Sequence, residues 1–123
     1  MAQETDGAEI ISEAHGLITG ARQHDYDHPL EDYERTVDIF RSITGIRLTA
    51  EEGILFMVSM KLSRLANELE KGLDVPDNTR DAIGYLGCLN MVRRKRRIVG
   101  DLDGIFNRLR RGWRFKTGEY HGV

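Results

Sequence analysis

Residues 49–72 read TAEEGILFMVSMKLSRLANELEKG, and this stretch limits the fold more than any other. Thr49-Ala-Glu-Glu52 has the form of a capping box: the Thr49 side chain takes the third amide of a helix and Glu52 reaches back to the first. Ile54, Leu55, Val58, Leu62, Leu65 and Leu69 then recur at spacings of three and four, and Gly72 offers an exit from the helix. The apolar run ILFMVSM at 54–60 is far short of the ~18 residues of a membrane span, so it reads as a core segment. Its partners should be helices too. The chain holds two prolines in 123 residues and little β-branched alternation.

The same periodicity marks the rest of the chain. A first helix is expected over about 7–19, with Ile10, Ile11, Ala14, Leu17 and Ile18 as its stripe and Gly20 as its stop. A second is expected over about 29–44, where Pro29 suits the first turn and Asp27 or His28 the cap. Leu30, Tyr33, Val37 and Phe40 form its stripe, and Gly45 ends it. After the loop LDVP, Asp77 can cap a helix through about 95, with Ile83, Leu86, Leu89 and Val92 inward. Ile105, Phe106, Leu109 and Trp113 hint at a short fifth helix beyond Gly100, and GEYHGV reads as a loose end. The expected fold class is therefore all-α, a four-to-five-helix bundle, with Leu62, Leu65, Leu86 and Leu89 buried. The expected division is a helical domain at 1–99 and a basic, aromatic arm at 100–123.

At 40% hydrophobic and 31% charged residues the chain can fill one modest core. Cys88 stands alone, which excludes an internal disulfide and fits a reducing compartment. MAQETDGAEI has neither a basic region nor an apolar run, so no signal peptide is read and a cytoplasmic location is expected. The net charge of −2 conceals a division. Residues 1–92 carry 17 acidic and 8 basic side chains, and residues 93–123 carry 3 and 10. That is −9 against +7, which points to an oppositely charged partner or to one part docking on another.

Four groups of residues could carry chemistry. Glu31, Glu34 and Asp38 share a face of the second helix, and Asp77 and Asp81 lie a turn apart further on. Glu34, Asp38, Asp77 and Asp81 could bracket a phosphate-bound Mg²⁺, or they are a solvated face and a helix cap. Met57, Lys61, Arg64 and Glu68 form a second stripe beside the leucines of 49–72. There Lys61 and Arg64 could hold an anion or pair with Asp81. His24 and His28 lack the further ligands of a zinc site. Arg93, Arg94, Lys95, Arg96 and Arg97 precede Arg110, Arg111 and Trp113. Cations among aromatics suit single-stranded nucleic acid, and folding of the arm onto the acidic body or onto a second subunit stands equally as the alternative.

Arg22-x3-Tyr26-x2-Pro29, then Lys61-x2-Arg64, then Asp81-x2-Gly84-Tyr85 resembles a family of small phage-borne helical proteins of unassigned function. Their pattern is R-x3-Y-G-x-P, K-L-x-R-L and D-x-x-G-Y. Asp27 stands here where that family usually has glycine, and the resemblance covers about 8–92. More remotely the layout resembles the MazG-like all-α nucleoside triphosphate pyrophosphatases, which bind Mg²⁺ through Glu-Glu-x-x-Glu and Glu-x-x-Asp helices. Lys61 and Arg64 fall where acids are expected, and only Asp81 survives from the second motif. Swapping carboxylates for cations could neutralise a phosphate without a metal.

The resemblance implies a MazG-like oligomer that pairs helices between subunits and acts in the host cell cytoplasm if phage-encoded. It implies a nucleotide or nucleotide-derived ligand held by Arg22, Tyr26, Glu34, Lys61, Arg64, Asp81 and Tyr85, with residual pyrophosphohydrolase activity open. A nucleic-acid-binding accessory protein acting through the arm, and a structural or host-interaction protein, stand as the alternatives.

Overall fold

The structure, a computed structural model, describes residues 6–20 and 27–117, the last seven of these by backbone alone. Among them are four helices and no strand: α1 (Gly7–Thr19), α2 (Pro29–Thr44), α3 (Ala50–Lys71) and α4 (Pro76–Thr117). None is long and apolar enough to cross a membrane. The chain divides into two compact units, residues 1–92 and residues 93–123.

Local chemistry explains the ends. Asp6 caps α1 by accepting the Glu9 amide at 2.8 Å. His28 caps α2: its Nδ1 accepts the Leu30 amide at 3.1 Å, and Pro29 comes next in the first turn, where its missing N–H costs nothing. The capping box of α3 is complete. Thr49 Oγ1 accepts the Glu52 amide at 3.1 Å and Glu52 accepts the Thr49 amide at 3.0 Å. Gly45 and Gly72 close α2 and α3 in the left-handed region, at φ +76° and +67°, where a Cβ would be strained.

The fourth helix departs from expectation at both ends. It begins at Pro76, so Asp77 sits in the first turn rather than at the cap. It then continues to Thr117 without the break and separate fifth helix expected near Gly100. No proline occurs after Pro76, and a lone helical glycine costs only about 1 kcal/mol relative to alanine. That cost does not end a helix unless the next residues turn away.

In the unit 1–92 the core gathers Leu30, Ala50, Ile54 and Val92, with Tyr33, Tyr85, Cys88 and Leu89 packed against them. α2 lies on α3 at a point where only glycine fits: a Cβ on Gly53 would come within 2.9 Å of Val37 Cγ1. α1 crosses α4 over Gly84 and Gly87, each facing Ile18.

The expected core is corrected in part. Leu65 and Leu89 are half-buried, but Leu62 is 49% exposed and Leu86 47%. Leu55 and Leu69 are exposed as well. The inward face of α3 runs instead through Ala50, Ile54, Val58, Lys61, Leu65 and Glu68. The helix has two apolar faces, and the neighbours within the chain cover the one that carries the ions.

Candidate functional site

Asp81, Gly84, Tyr85 and Cys88 succeed one another at helical spacing along one face of α4. Pro29, Asp32 and Tyr33 do the same at the start of α2, just after Asp27. Together with Leu17 and Ile18 from the end of α1 these residues line a pocket of about 280 Å³. Its wall is part aliphatic and part tyrosine ring, and its polar groups include three carboxylates. A Cβ on buried Gly84 would meet Ile18 at an ordinary 3.7 Å, whereas one on Gly87, a turn further along, would come within 2.8 Å of it, so Gly87 is the position that lets α1 approach α4 beside the pocket.

A network of ions backs one side. Lys61 Nζ lies 3.0 Å from Asp81 Oδ2, the two side chains being 14% and 24% exposed. Arg80 reaches three acids: Asp81 at 3.5 Å, Asp77 at 3.4 Å and Glu13 at 3.8 Å. Its Nε is buried and donates no hydrogen bond, for the 3.5 Å approach to Asp81 is electrostatic only. Asn78 donates to buried Glu68, tying the end of α3 to the start of α4.

On the other side Arg35 grips Asp27 at 2.5 Å. The hydrogen bond and then the charge of Asp27 raise the Arg35 pKa above its ordinary value. Asp27 and Asp81 are thus both paired. The Asp32 carboxylate makes none of the hydrogen bonds or ion pairs found among the described residues, which leaves it the acceptor best placed to meet a ligand.

The sequence-derived site residues separate into groups. Lys61 and Asp81 converge, and Tyr85 and Asp81 line the pocket. Arg64 is exposed on α3 and outside this network; Arg80, which the sequence pattern did not single out, takes the second cationic place beside Asp81. Glu34 and Asp38 are exposed on α2 and do not line the pocket. Arg22 and Tyr26 lie outside the described residues.

Nor do Glu34, Asp38, Asp77 and Asp81 form a metal centre: among the described residues no three acids, histidines or cysteines gather closely enough to hold an ion. Asp77 is engaged with Arg80 instead. Of the basic run, Arg93, Arg94, Arg96, Arg97 and Arg110 are exposed and Lys95 is half-buried. The Arg111 and Trp113 side chains lie outside the described residues.

Asp32, Tyr33 and Cys88 are pocket residues that the motifs did not mark. Tyr33 belongs to the apolar stripe and Cys88 to an apolar helix face, which is half of their role, since both also pack on the core. The available signal was the Pro29-x2-Asp32-Tyr33 spacing, which repeats Asp81-x2-Gly84-Tyr85.

A family model described as a domain of unknown function, DUF6378, matches residues 9–93. No curated protein and no solved structure matches the chain.

Proposed function

We propose that this chain, which belongs to the DUF6378 family, binds the nucleoside end of a nucleotide or nucleotide-derived ligand in the pocket between α1, α2 and α4. The observation that carries the reading is the lining: Tyr33 and Tyr85 beside Asp27, Asp32 and Asp81 in about 280 Å³. That volume lies just under the usual range for organic ligands, about 300–1,000 Å³, and suits one base with its sugar. Aromatic faces support a base by stacking, at about 1–3 kcal/mol per base. Carboxylates accept from ring N–H, exocyclic amino or ribose hydroxyl groups.

Orientation is set by charge. Among the described residues no cation lines the pocket, and Lys61 and Arg80 are committed to acids. Three carboxylates repel a bare phosphate, so phosphates would point outward or arrive with a cation. Mg²⁺ uses only one or two protein carboxylates when phosphate oxygens complete its shell. It would come as the ligand's companion rather than as a resident of the protein. Residual pyrophosphohydrolase activity, which the MazG-like resemblance implies, belongs to this same reading and rests on less, since Asp81 alone remains of the MazG-like acids.

The test is a panel of nucleosides, nucleotides and nucleoside triphosphates scored by melting temperature, with and without Mg²⁺. A ligand at a hundredfold excess over its Kd adds about 2.7 kcal/mol of stability. Asp32→Asn should remove the response while leaving the unliganded melting temperature unchanged. A panel without response, or a response untouched by Asp32→Asn and Tyr85→Ala, would refute the site. Pyrophosphate release measured on the same triphosphates tests the activity separately.

A second reading has its own observation. Arg93, Arg94, Arg96 and Arg97 are exposed along α4, as phosphate neutralisation requires. Oligonucleotide affinity falling steeply with salt and lost in an Arg96→Glu/Arg97→Glu variant would establish it.

A further inference from the structure

From residue 98 onward α4 carries a heptad seam. Ile98, Leu102, Ile105 and Leu109 alternate at four, three and four residues, and Val99 and Phe106 widen the stripe at the same flank one heptad apart. All six are exposed, between 44% and 64%. The opposite side holds Arg96, Arg97, Gly100, Asp103, Asn107 and Arg110. A stripe covering three positions in seven is the pattern of a helix that faces a core, and six exposed apolar side chains in twelve residues are costly to leave in water.

We propose that this seam pairs with the same seam of a second copy of the chain, running antiparallel. The charges beside the stripe decide the direction. In a parallel pair Lys95 would meet Lys95 of the second copy, and Asp101 would flank an apolar Phe106. Antiparallel, with Leu102 against Ile105 of the second copy and Ile98 against Leu109 of the second copy, the four layers between residues 98 and 109 are all apolar. Val99 then faces Phe106 of the second copy, and Asp101 lies beside Arg108 of the second copy, twice by symmetry. A slip of one heptad either way sets Asp101 on Asp101 and Arg94 on Arg108, or Arg108 on Arg108. Only this arrangement joins opposite charges.

The seam spans about 18 Å and by itself falls below the ~1,000 Å² of a stable interface. The dimer is therefore concentration-dependent, with a dissociation constant of micromolar order or weaker. Each arm carries a formal +7 over residues 93–123, so the two repel at long range. Added salt strengthens their pairing by screening that repulsion. Docking of the arm on the −9 of residues 1–92, or on a nucleic acid, would weaken with salt.

The test is sedimentation equilibrium of the full chain over a concentration series, at low and high salt. The expected result is a monomer–dimer equilibrium that tightens with salt and weakens at least tenfold in Leu102→Glu/Ile105→Glu. Asp101→Arg should weaken it roughly tenfold by juxtaposing like charges. Adding Arg108→Asp to Asp101→Arg should restore the wild-type constant, since the swapped pair attracts again. The charge swap keeps the test independent of any helix loss in the glutamate variant. A monomer at all concentrations, a dimer that dissolves as salt rises, or a charge swap without rescue would overturn the proposal. So would an oligomer indifferent to Leu102→Glu/Ile105→Glu but lost in Leu62→Glu, which would move the interface to the exposed leucines of α3.

Discussion

Replacing Asp81 by alanine should cost the protein about 2 kcal/mol. The acid stands 3.0 Å from Lys61 and 3.5 Å from the Nε of Arg80. Without it, a lysine only 14% exposed loses its partner, and a buried guanidinium nitrogen that already donates no hydrogen bond loses its nearest acid. Breaking a fully buried pair costs about 3–5 kcal/mol, and an exposed pair is worth about 0–1 kcal/mol. The Lys61–Asp81 pair is mostly but not wholly withdrawn from water, so its value falls between these ranges. For a unit of this size it lowers the melting temperature by roughly 8–16 °C. Urea denaturation of wild type, Asp81→Ala and Lys61→Met/Asp81→Leu measures it. The double variant should be more stable than Asp81→Ala, because the penalty lies in the orphaned charge rather than in the lost attraction. A loss under about 0.5 kcal/mol, the level of an ordinary surface substitution, would show that water reaches the pair freely and that the network does not brace the pocket.

Gly53→Ala should destabilise by about 1 kcal/mol despite the better helix propensity of alanine. Its Cβ would meet buried Val37 at 2.9 Å, and the melting temperature reports the outcome. Gly100→Ala, with nothing within 4 Å of its Cβ, should raise the helical circular dichroism signal, and no gain would mean that the helix breaks there. The Glu52 carboxyl is held below the ordinary glutamate range by the Thr49 amide and then by the Thr49 side chain. A lowered folded-state pKa stabilises above the unfolded value, and the contribution is lost as pH falls through the folded one. Stability measured on acidification should therefore lose a component in wild type that Glu52→Gln lacks.

The elements were legible because their signals are local. Thr49 with Glu52, Pro29 after a capping residue, and Gly45 and Gly72 in the left-handed region each act within four residues, so a linear reading placed the ends of α1, α2 and α3 where they are found. The pairing of Lys61 with Asp81 was legible too, because a cation on an apolar helix needs an acid from a neighbour. Gly100 was misread because a glycine is permissive: it allows a stop without imposing one. Continuation of α4 past it depends on Asp101 to Arg110 keeping helical dihedrals, which a single glycine does not dictate.

Which face of α3 turns inward could not be read from hydrophobicity. Leu55, Leu62 and Leu69 form a cleaner apolar stripe than the one Lys61 and Glu68 interrupt, yet the ionic side is the one covered. The difference comes from elsewhere in the chain: Asp81, Arg80 and Asn78 on α4 satisfy the ions, and Gly53 lets α2 close over Ile54. The pocket is of the same kind. Pro29, Asp32 and Tyr33 are separated from Asp81, Gly84 and Tyr85 by about fifty residues, and Gly87 lets Ile18 of α1 come close enough to α4 to complete the wall. Caps and turns are set by neighbours along the chain, whereas a buried charge or a cavity exists only once its partners have been carried there by packing.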